Sequence, residues 1–335
     1  MTVTVSVVMP THNRKELLHE AVASVLSQTY TDWELIIVDD GSVPPVDVAA
    51  LEIICRQNIR VARNEVAGNV CAARSQGVRA AQGELIIHLD DDDLLAEGAL
   101  ERATKVFRDC PELDVLFLGV QGFGNDACGF DVRQSSAMES VMAESGGFDA
   151  GAGLVKFSSR LFKPLLARVP MAFQRTMVRR QAWDRVSDFR EAVYGRSSAK
   201  CGASPVYCIP PLWNESEWAL YAAVFCRTAL LNHALYLQRC DGQGYFSTID
   251  DELETIDAHI NIMEHLKSAS REYVELREWY PLVKTYTAKA YFNRAYCLST
   301  RGERRRAFKS LAKAFRAEPR LLHAKFLFKI IFLSR

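Results

Sequence analysis

Three apolar runs in the first hundred residues each stop at a polar tip. Residues 3–9 are rich in Val and end before Pro10 and Thr11. Residues 34–38 end at Asp39 and Asp40, and residues 84–88 lead through Leu89 into Asp90, Asp91, Asp92 and Asp93. Near-continuous apolar strands are buried on both faces, as in a parallel sheet covered by helices. Between them, Leu17, Leu18, Val22, Val25 and Leu26 share one helical face, a weaker strand lies near 59–61, and a helix is expected over 71–81. Strand, helix, strand, helix predicts an α/β, Rossmann-like, mostly parallel sheet flanked by helices. Ligands of such sheets collect beyond the carboxyl ends of the strands, so the three polar tips are expected to converge.

Four adjacent carboxylates repel one another and resist desolvation, so folding stability alone does not explain the run 90–93. An oxygen-rich cluster suits a hard divalent cation, which can in turn hold the phosphates of a nucleotide. The alternative is an exposed acidic turn in which Asp92 or Asp93 is the N-cap of a helix starting at Leu94.

Beyond residue 110 the pattern loosens. Residues 115–119 read as a strand, whereas 121–170 are Gly- and Ser-rich with poor periodicity, as expected of binding loops or a lid. Residues 174–186 form a basic, partly helical stretch whose Arg179 and Arg180 either face a diphosphate or solvate a helix. From 248 onward the chain is helical with few Gly or Pro. The organisation expected is a domain over 1–247, with halves 1–110 and 111–247, and a C-terminal helical extension over 248–335. In that extension Tyr291, Ala295, Leu298, Gly302, Ala307, Leu311, Ala314 and Pro319 are spaced like one tetratricopeptide helix pair.

Lys and Arg balance Asp and Glu at 41 each, but residues 301–335 hold eleven basic residues against two acids. That asymmetry points to an anionic partner for the tail, a membrane surface or another acidic surface. Residues 326–333, apolar with an interspersed lysine, suit either a capping helix or a membrane interface. No nucleic-acid partner is expected. Nine cysteines without CxxC pairs fit a reducing compartment, with the thiols as small core residues. Neither a signal peptide nor an apolar run of spanning length is evident, so the expected location is cytoplasmic, either free or peripheral on the cytoplasmic face of the inner membrane.

Five blocks in order carry a resemblance to a known family: Ser6 to Arg14, Ser24 to Tyr30, Trp33 to Ser42, Ala72 to Gly77, and Gly83 to Asp93. They resemble the inverting family 2 glycosyltransferases with the GT-A fold, strongly over residues 3–100 and more weakly to about 247. The resemblance implies a nucleotide-sugar donor, a UDP-sugar, and a glycan or lipid-linked acceptor in surface polysaccharide biosynthesis. It places Pro10, Thr11, Asp39 and Asp40 at the nucleobase and ribose, with Arg74 assisting. Asp90 to Asp92 take the family's DxD position, with Asp92 as direct ligand of Mn or Mg and Asp90 or Asp91 on the ribose or a metal-bound water. Asp93 would then cap the following helix. The cation would neutralise the diphosphate as it leaves.

Inversion by direct displacement needs one base for the acceptor hydroxyl. The family supplies it from an acidic pair before an aromatic residue, and here the matching text is Glu215-Ser216-Glu217-Trp218. Glu217 stands at the base position as Glu rather than Asp, a shift of about one bond length where placement matters to about an angstrom. Glu215 is the reserve, and two exposed helix-start glutamates are the structural alternative. Asp241 stands where many relatives carry a histidine near the metal, and is either an oxygen ligand or a lost contact. His88 is expected in sheet packing rather than as a ligand. Trp213 and Trp218 suit acceptor stacking or core packing. A fold-retaining protein without catalysis is the competing function. A nucleotidyltransferase would need a Gly-rich loop after the first strand, which Pro10 to Arg14 lacks.

Overall fold

The computed structural model describes residues 4–47, 58–68, 70–167, 175–198, 211–242 and 252–319, with backbone alone for 194–198 and 211–216. The chain divides into two compact units, Met1–Tyr245 and Phe246–Arg335.

The first unit is built on one mixed sheet. Its central strand, β1 (Val5–Thr11), pairs in parallel with β2 (Trp33–Asp40) on one side and β4 (Leu85–His88) on the other. β3 (Ile59–Asn64) extends the β2 side, also in parallel. Alternate residues serve opposite layers, as the two-residue period of a strand requires. Val5, Val7, Met9, Leu35, Ile37 and Ile87 pack with Leu18, Val22 and Val25 of α1 (Lys15–Leu26) and Leu100 and Phe107 of α3 (Ala99–Asp109). The opposite face carries Val8 and Val38 against α2 (Val70–Ala80). There Gly77 permits the close approach: a Cβ on it would lie 2.4 Å from Val8 Cγ1.

Strand β1 runs two residues beyond the expected end at residue 9, through Pro10 to Thr11. The reason is geometric. β4 pairs only as far as Val8↔His88, so the imide nitrogen of Pro10 faces a side where the ladder has stopped and no donor is needed.

Past residue 110 the expectations fail in two places. The supposed loop region 121–170 contains α4 (Ala127–Ser145), nineteen residues of helix, followed by β7 (Phe148–Asp149), β8 (Leu154–Lys156) and α5 (Phe162–Ala167). Only Val141 and Ser145 of α4 are buried, so no apolar stripe announced it. The basic stretch near 174–186 begins as a strand, β9 (Thr176–Arg179), before α6 (Arg180–Ser198). β9 inserts antiparallel between β4 and β6 (Val115–Phe123). After α7 (Pro211–Phe225), β10 (Thr228–Arg239) pairs with β6 in parallel, with β8 antiparallel, and with the two-residue β5 (Leu94–Leu95).

The second unit contains α8 (Glu252–Glu272), α9 (Tyr280–Thr300) and α10 (Arg304–Ala317). Tyr291, Ala295, Leu298, Ala307, Leu311 and Ala314 are buried, and Gly302 turns the chain between α9 and α10 at φ +76°. Residues 320–335, including the apolar run 326–333, lie outside the described residues. No helix among the described residues is long and apolar enough to cross a membrane. Among the described cysteines Cys71, Cys110 and Cys297 are buried as expected of core thiols, but Cys128 is exposed.

Replacing Gly77 with Ala should lower stability by about 1–3 kcal/mol through overpacking against Val8, less about 1 kcal/mol of helix propensity regained. Urea unfolding measures it, and an unchanged midpoint would contradict the tight helix–sheet contact.

Candidate functional site

The strand order β3-β2-β1-β4 places the chain's crossover between β2 and β4, on either side of β1. Ligands of open α/β sheets collect at the carboxyl edge of such a switch point. Here the edge is closed by one hydrogen bond: Thr11 Oγ1, at the end of β1, donates to Asp91 Oδ2 at 2.7 Å, in the loop after β4. His12 Nδ1 donates to the main-chain oxygen of Asp40 at the end of β2 (2.8 Å). The three tips therefore share one edge.

Asp39 and Asp40 do different things there. The Asp39 carboxylate accepts from Ser42 N (2.8 Å), Val46 N (3.0 Å) and Arg63 Nη1 (2.5 Å), closing the turn after β2. Burial works to raise its pKa, but these hydrogen bonds outweigh it and hold the group below the usual carboxylate range. Asp40 Oδ1 accepts from Asn64 Nδ2 (2.8 Å), and both Asp40 oxygens accept from Gly68 N (3.1 Å). Gly41, at φ +76°, makes the turn possible, since a Cβ would lie 2.5 Å from Ala67 N.

Around the aspartates stand three guanidinium groups. Arg14, at the N-terminus of α1, reaches Asp92 Oδ2 at 2.9 Å and Asp91 Oδ1 at 3.3 Å. Arg74, buried on α2, pairs with Asp90. Arg239 donates from Nε to the Asp92 main-chain oxygen (2.9 Å), pairs with Glu20 and Asp241, and lies 4.6 Å above the Phe123 ring. Asp90, Asp92 and Asp93 each offer an oxygen within 4.8 Å of the others. Asp241 is not in that group and accepts from Arg239 Nη1 at 3.3 Å.

Asp93 is no helix cap. Leu94 and Leu95 continue extended as β5, and α3 begins at Ala99 with Gly98 as its N-cap. The Asp93 carboxylate instead accepts from Tyr236 Oη (2.8 Å) and Arg239 N (2.9 Å), both on β10. Burial, with the neighbouring Asp92 and Asp90 charges, raises its pKa well above the ordinary value. Burial also pushes Asp91 up to about 7, against the Thr11 hydrogen bond that lowers it. Asp92 is raised by burial and by Asp90. Three carboxylate oxygen donors this close match the hard-ligand chemistry of Mg or Mn.

The predicted base lies deeper. Glu217, on α7, is fully buried, and its Oε2 accepts from Arg190 Nη2 (3.1 Å) and Nε (3.2 Å). It is not one of two exposed helix-start glutamates. Trp218 is also core, stacked on Trp183 at 5.4 Å, and Trp183 meets buried His88 at 4.6 Å. The side chains of Glu215 and Trp213 lie outside the described residues. Arg179 and Arg180 turn away from any diphosphate at the cluster: Arg179 holds Glu84 and Arg180 holds the Gly83 carbonyl, at the opposite end of β4. Sequence reasoning missed Arg14, Tyr236, Arg239 and Arg190. Only Arg14 lies in one of the five matched blocks, and there its charge next to a strand tip was the available signal.

Residues 6–136 match the family model described as Glycosyl transferase family 2. The UDP-Glc:alpha-D-GlcNAc-diphosphoundecaprenol beta-1,3-glucosyltransferase WfgD of Escherichia coli is 35% identical over 97 residues, 29% of this chain and 38% of that protein. The poly(ribitol-phosphate) beta-N-acetylglucosaminyltransferase TarP of Staphylococcus aureus is 41% identical over 102 residues, 29% of this chain and 31% of that protein. The aligned segments thus span about a third of these relatives' own lengths. In three dimensions the chain is similar to S. aureus TarS 1–349, with a TM-score of 0.61 at 15% identity over 94% of this chain and 81% of that one. The mostly parallel sheet with flanking helices is the GT-A architecture expected from the sequence.

A carboxyl raised from 3.8 to about 7 on folding holds its proton more tightly in the folded protein. Stability without added cation should therefore fall as pH rises from about 4 to about 7, because the folded state binds more protons there. Asp91→Asn should flatten that part of the profile. Urea midpoints in a chelating buffer test it, and an identical slope in the variant would contradict the assignment.

Proposed function

We propose, for a chain whose residues 6–136 match the family model described as Glycosyl transferase family 2, that it transfers a sugar from a nucleotide diphosphate donor to a glycan or lipid-linked acceptor, with inversion, in bacterial surface glycan assembly. The observation that carries this reading is the Thr11–Asp91 hydrogen bond, which sets the carboxyl edge of β1 and β2 beside three clustered carboxylates. A UDP-sugar donor is supported by the name of WfgD, and β products from both named relatives support inversion, since UDP-glucose carries its sugar in the α configuration.

In this reading Thr11 and Asp40, with Pro10 and Asp39 behind them and Arg74 nearby, take the nucleoside. Asp92, with Asp90 and Asp93, would hold Mn or Mg, while Asp91 orients Thr11 and Arg14. Asp241 serves the cluster through Arg239. When bound, the cation supplies positive charge for the departing diphosphate. The acceptor proton goes to an α7 carboxylate, Glu217 or Glu215. Glu217 must leave Arg190 before it can reach a hydroxyl. That pair also favours a second reading, a sugar-nucleotide-binding protein without transfer.

The second unit is assigned to an anionic membrane surface on the cytoplasmic side. Its support is α10, whose Arg305, Lys309 and Arg316 are exposed beside Phe308 and Phe315, each 48% exposed.

Asp92→Ala should lose manganese-dependent donor binding in a thermal-shift titration; unaltered stabilisation by donor plus metal would remove Asp92 from the site. Glu217→Gln should cost about 3–5 kcal/mol, the usual consequence of removing one charge of a buried ion pair. Release of nucleoside diphosphate, followed in Glu217→Gln and Glu215→Gln at a temperature where both are folded, should be abolished in whichever carries the base. No release by the unsubstituted protein with any donor would favour the non-catalytic reading.

A further inference from the structure

Arg14 stands out among the three guanidinium groups at the cluster by what holds it. Arg239 is anchored four times, through Glu20, Asp241, the Asp92 carbonyl and the Phe123 ring. Arg74 is almost wholly buried, with its side chain 3% exposed. Arg14 is more open, its side chain 28% exposed, and the described contacts of its guanidinium are the carboxylates of Asp91 and Asp92. It departs from the first residue before α1, on a polar loop, so a change of rotamer disturbs no packed core.

Asp92 Oδ2, the oxygen that Arg14 meets at 2.9 Å, belongs to a carboxylate of the Asp90–Asp92–Asp93 group. A divalent cation on that group and the guanidinium would be two positive charges on one carboxylate, and their repulsion is unscreened at such short range. One must yield. A guanidinium that yields at the start of a helix stands where an anion is already favoured by the free N–H groups, and its planar fork matches phosphate oxygens.

We propose that Arg14 is a positioning residue that couples cation to donor: it neutralises Asp91 and Asp92 before loading, is displaced from Asp92 by the cation, and then pairs with the donor's diphosphate. This rests on the cation reading above and adds a thermodynamic consequence to it. Cation alone must displace Arg14 with nothing to receive it, and so binds weakly. Cation with diphosphate gives Arg14 a new partner, and so binds tightly. Coupling of this kind is reciprocal, and typical values are about 5–150-fold.

The test is manganese affinity read from the paramagnetic resonance of free Mn, with and without saturating nucleoside diphosphate, taking the tightest binder of UDP, GDP and dTDP. In the unsubstituted protein the diphosphate should tighten manganese binding about tenfold or more. In Arg14→Ala, and in Arg14→Gln as a second variant, manganese alone should bind several-fold tighter while the coupling falls several-fold, to the part that direct attraction between metal and diphosphate supplies. Thermal melts confirm that each variant is folded. Manganese affinity unchanged or weakened by both substitutions, with coupling intact, would overturn the role of Arg14 and leave the cation site standing. Absence of manganese binding in all three proteins, with or without diphosphate, would overturn the cation site and this proposal together.

Discussion

Negative charge packed at the tip of one strand is the condition that the rest of the first unit answers. Four carboxylates follow β4 in succession, and a loop of that charge cannot be folded against a sheet unless positive groups and hydrogen-bond donors meet it. Thr11 arrives from β1, Arg14 from the start of α1, Arg74 from α2, and Tyr236 with Arg239 from β10. Each comes from a different element, so the sheet order and the helix placements are what bring balance to one spot.

The balance is incomplete by design of the fold's own burial. Asp91, Asp92 and Asp93 remain raised above the ordinary carboxylate range even with those partners in place. Asp39, at the tip of β2 on the far side of β1, shows the opposite outcome, because backbone N–H groups and Arg63 satisfy it. The tips of β2 and β4, on either side of β1, thus end in carboxylates of unlike character. One closes a turn and is finished structurally; the other remains electrostatically unsatisfied, which is the property a binding site needs.

How much of this was legible in the sequence depended on whether the signal was local. Strands with apolar residues on both faces declare themselves, so β1, β2 and β4 and their shared edge could be anticipated from residues 5–11, 33–40 and 85–88. The helix α4 could not, since a mostly exposed helix has no stripe to read. β9 is four residues long and owes its existence to the two strands it lies between, which no window of sequence contains. The same holds within the site. Asp92 and Asp40 were legible by position, whereas Tyr236 and Arg239 reach Asp93 across more than 140 residues. The pairing of Glu217 with Arg190 was hidden likewise, because an ionic partner on another helix leaves no trace at the glutamate itself.

The insertion of β9 also bears on biosynthesis. β4 gains its second neighbour only from residues 176–179, and the aspartate loop gains its last supports only from β10, ending at Arg239. Pairings between such distant segments form late and slowly. A nascent chain that has exposed the aspartates but not yet β10 holds four carboxylates without their full complement of donors. Nearly 150 further residues must leave the ribosome before that edge is assembled, a delay on the order of ten seconds or more at ordinary elongation rates.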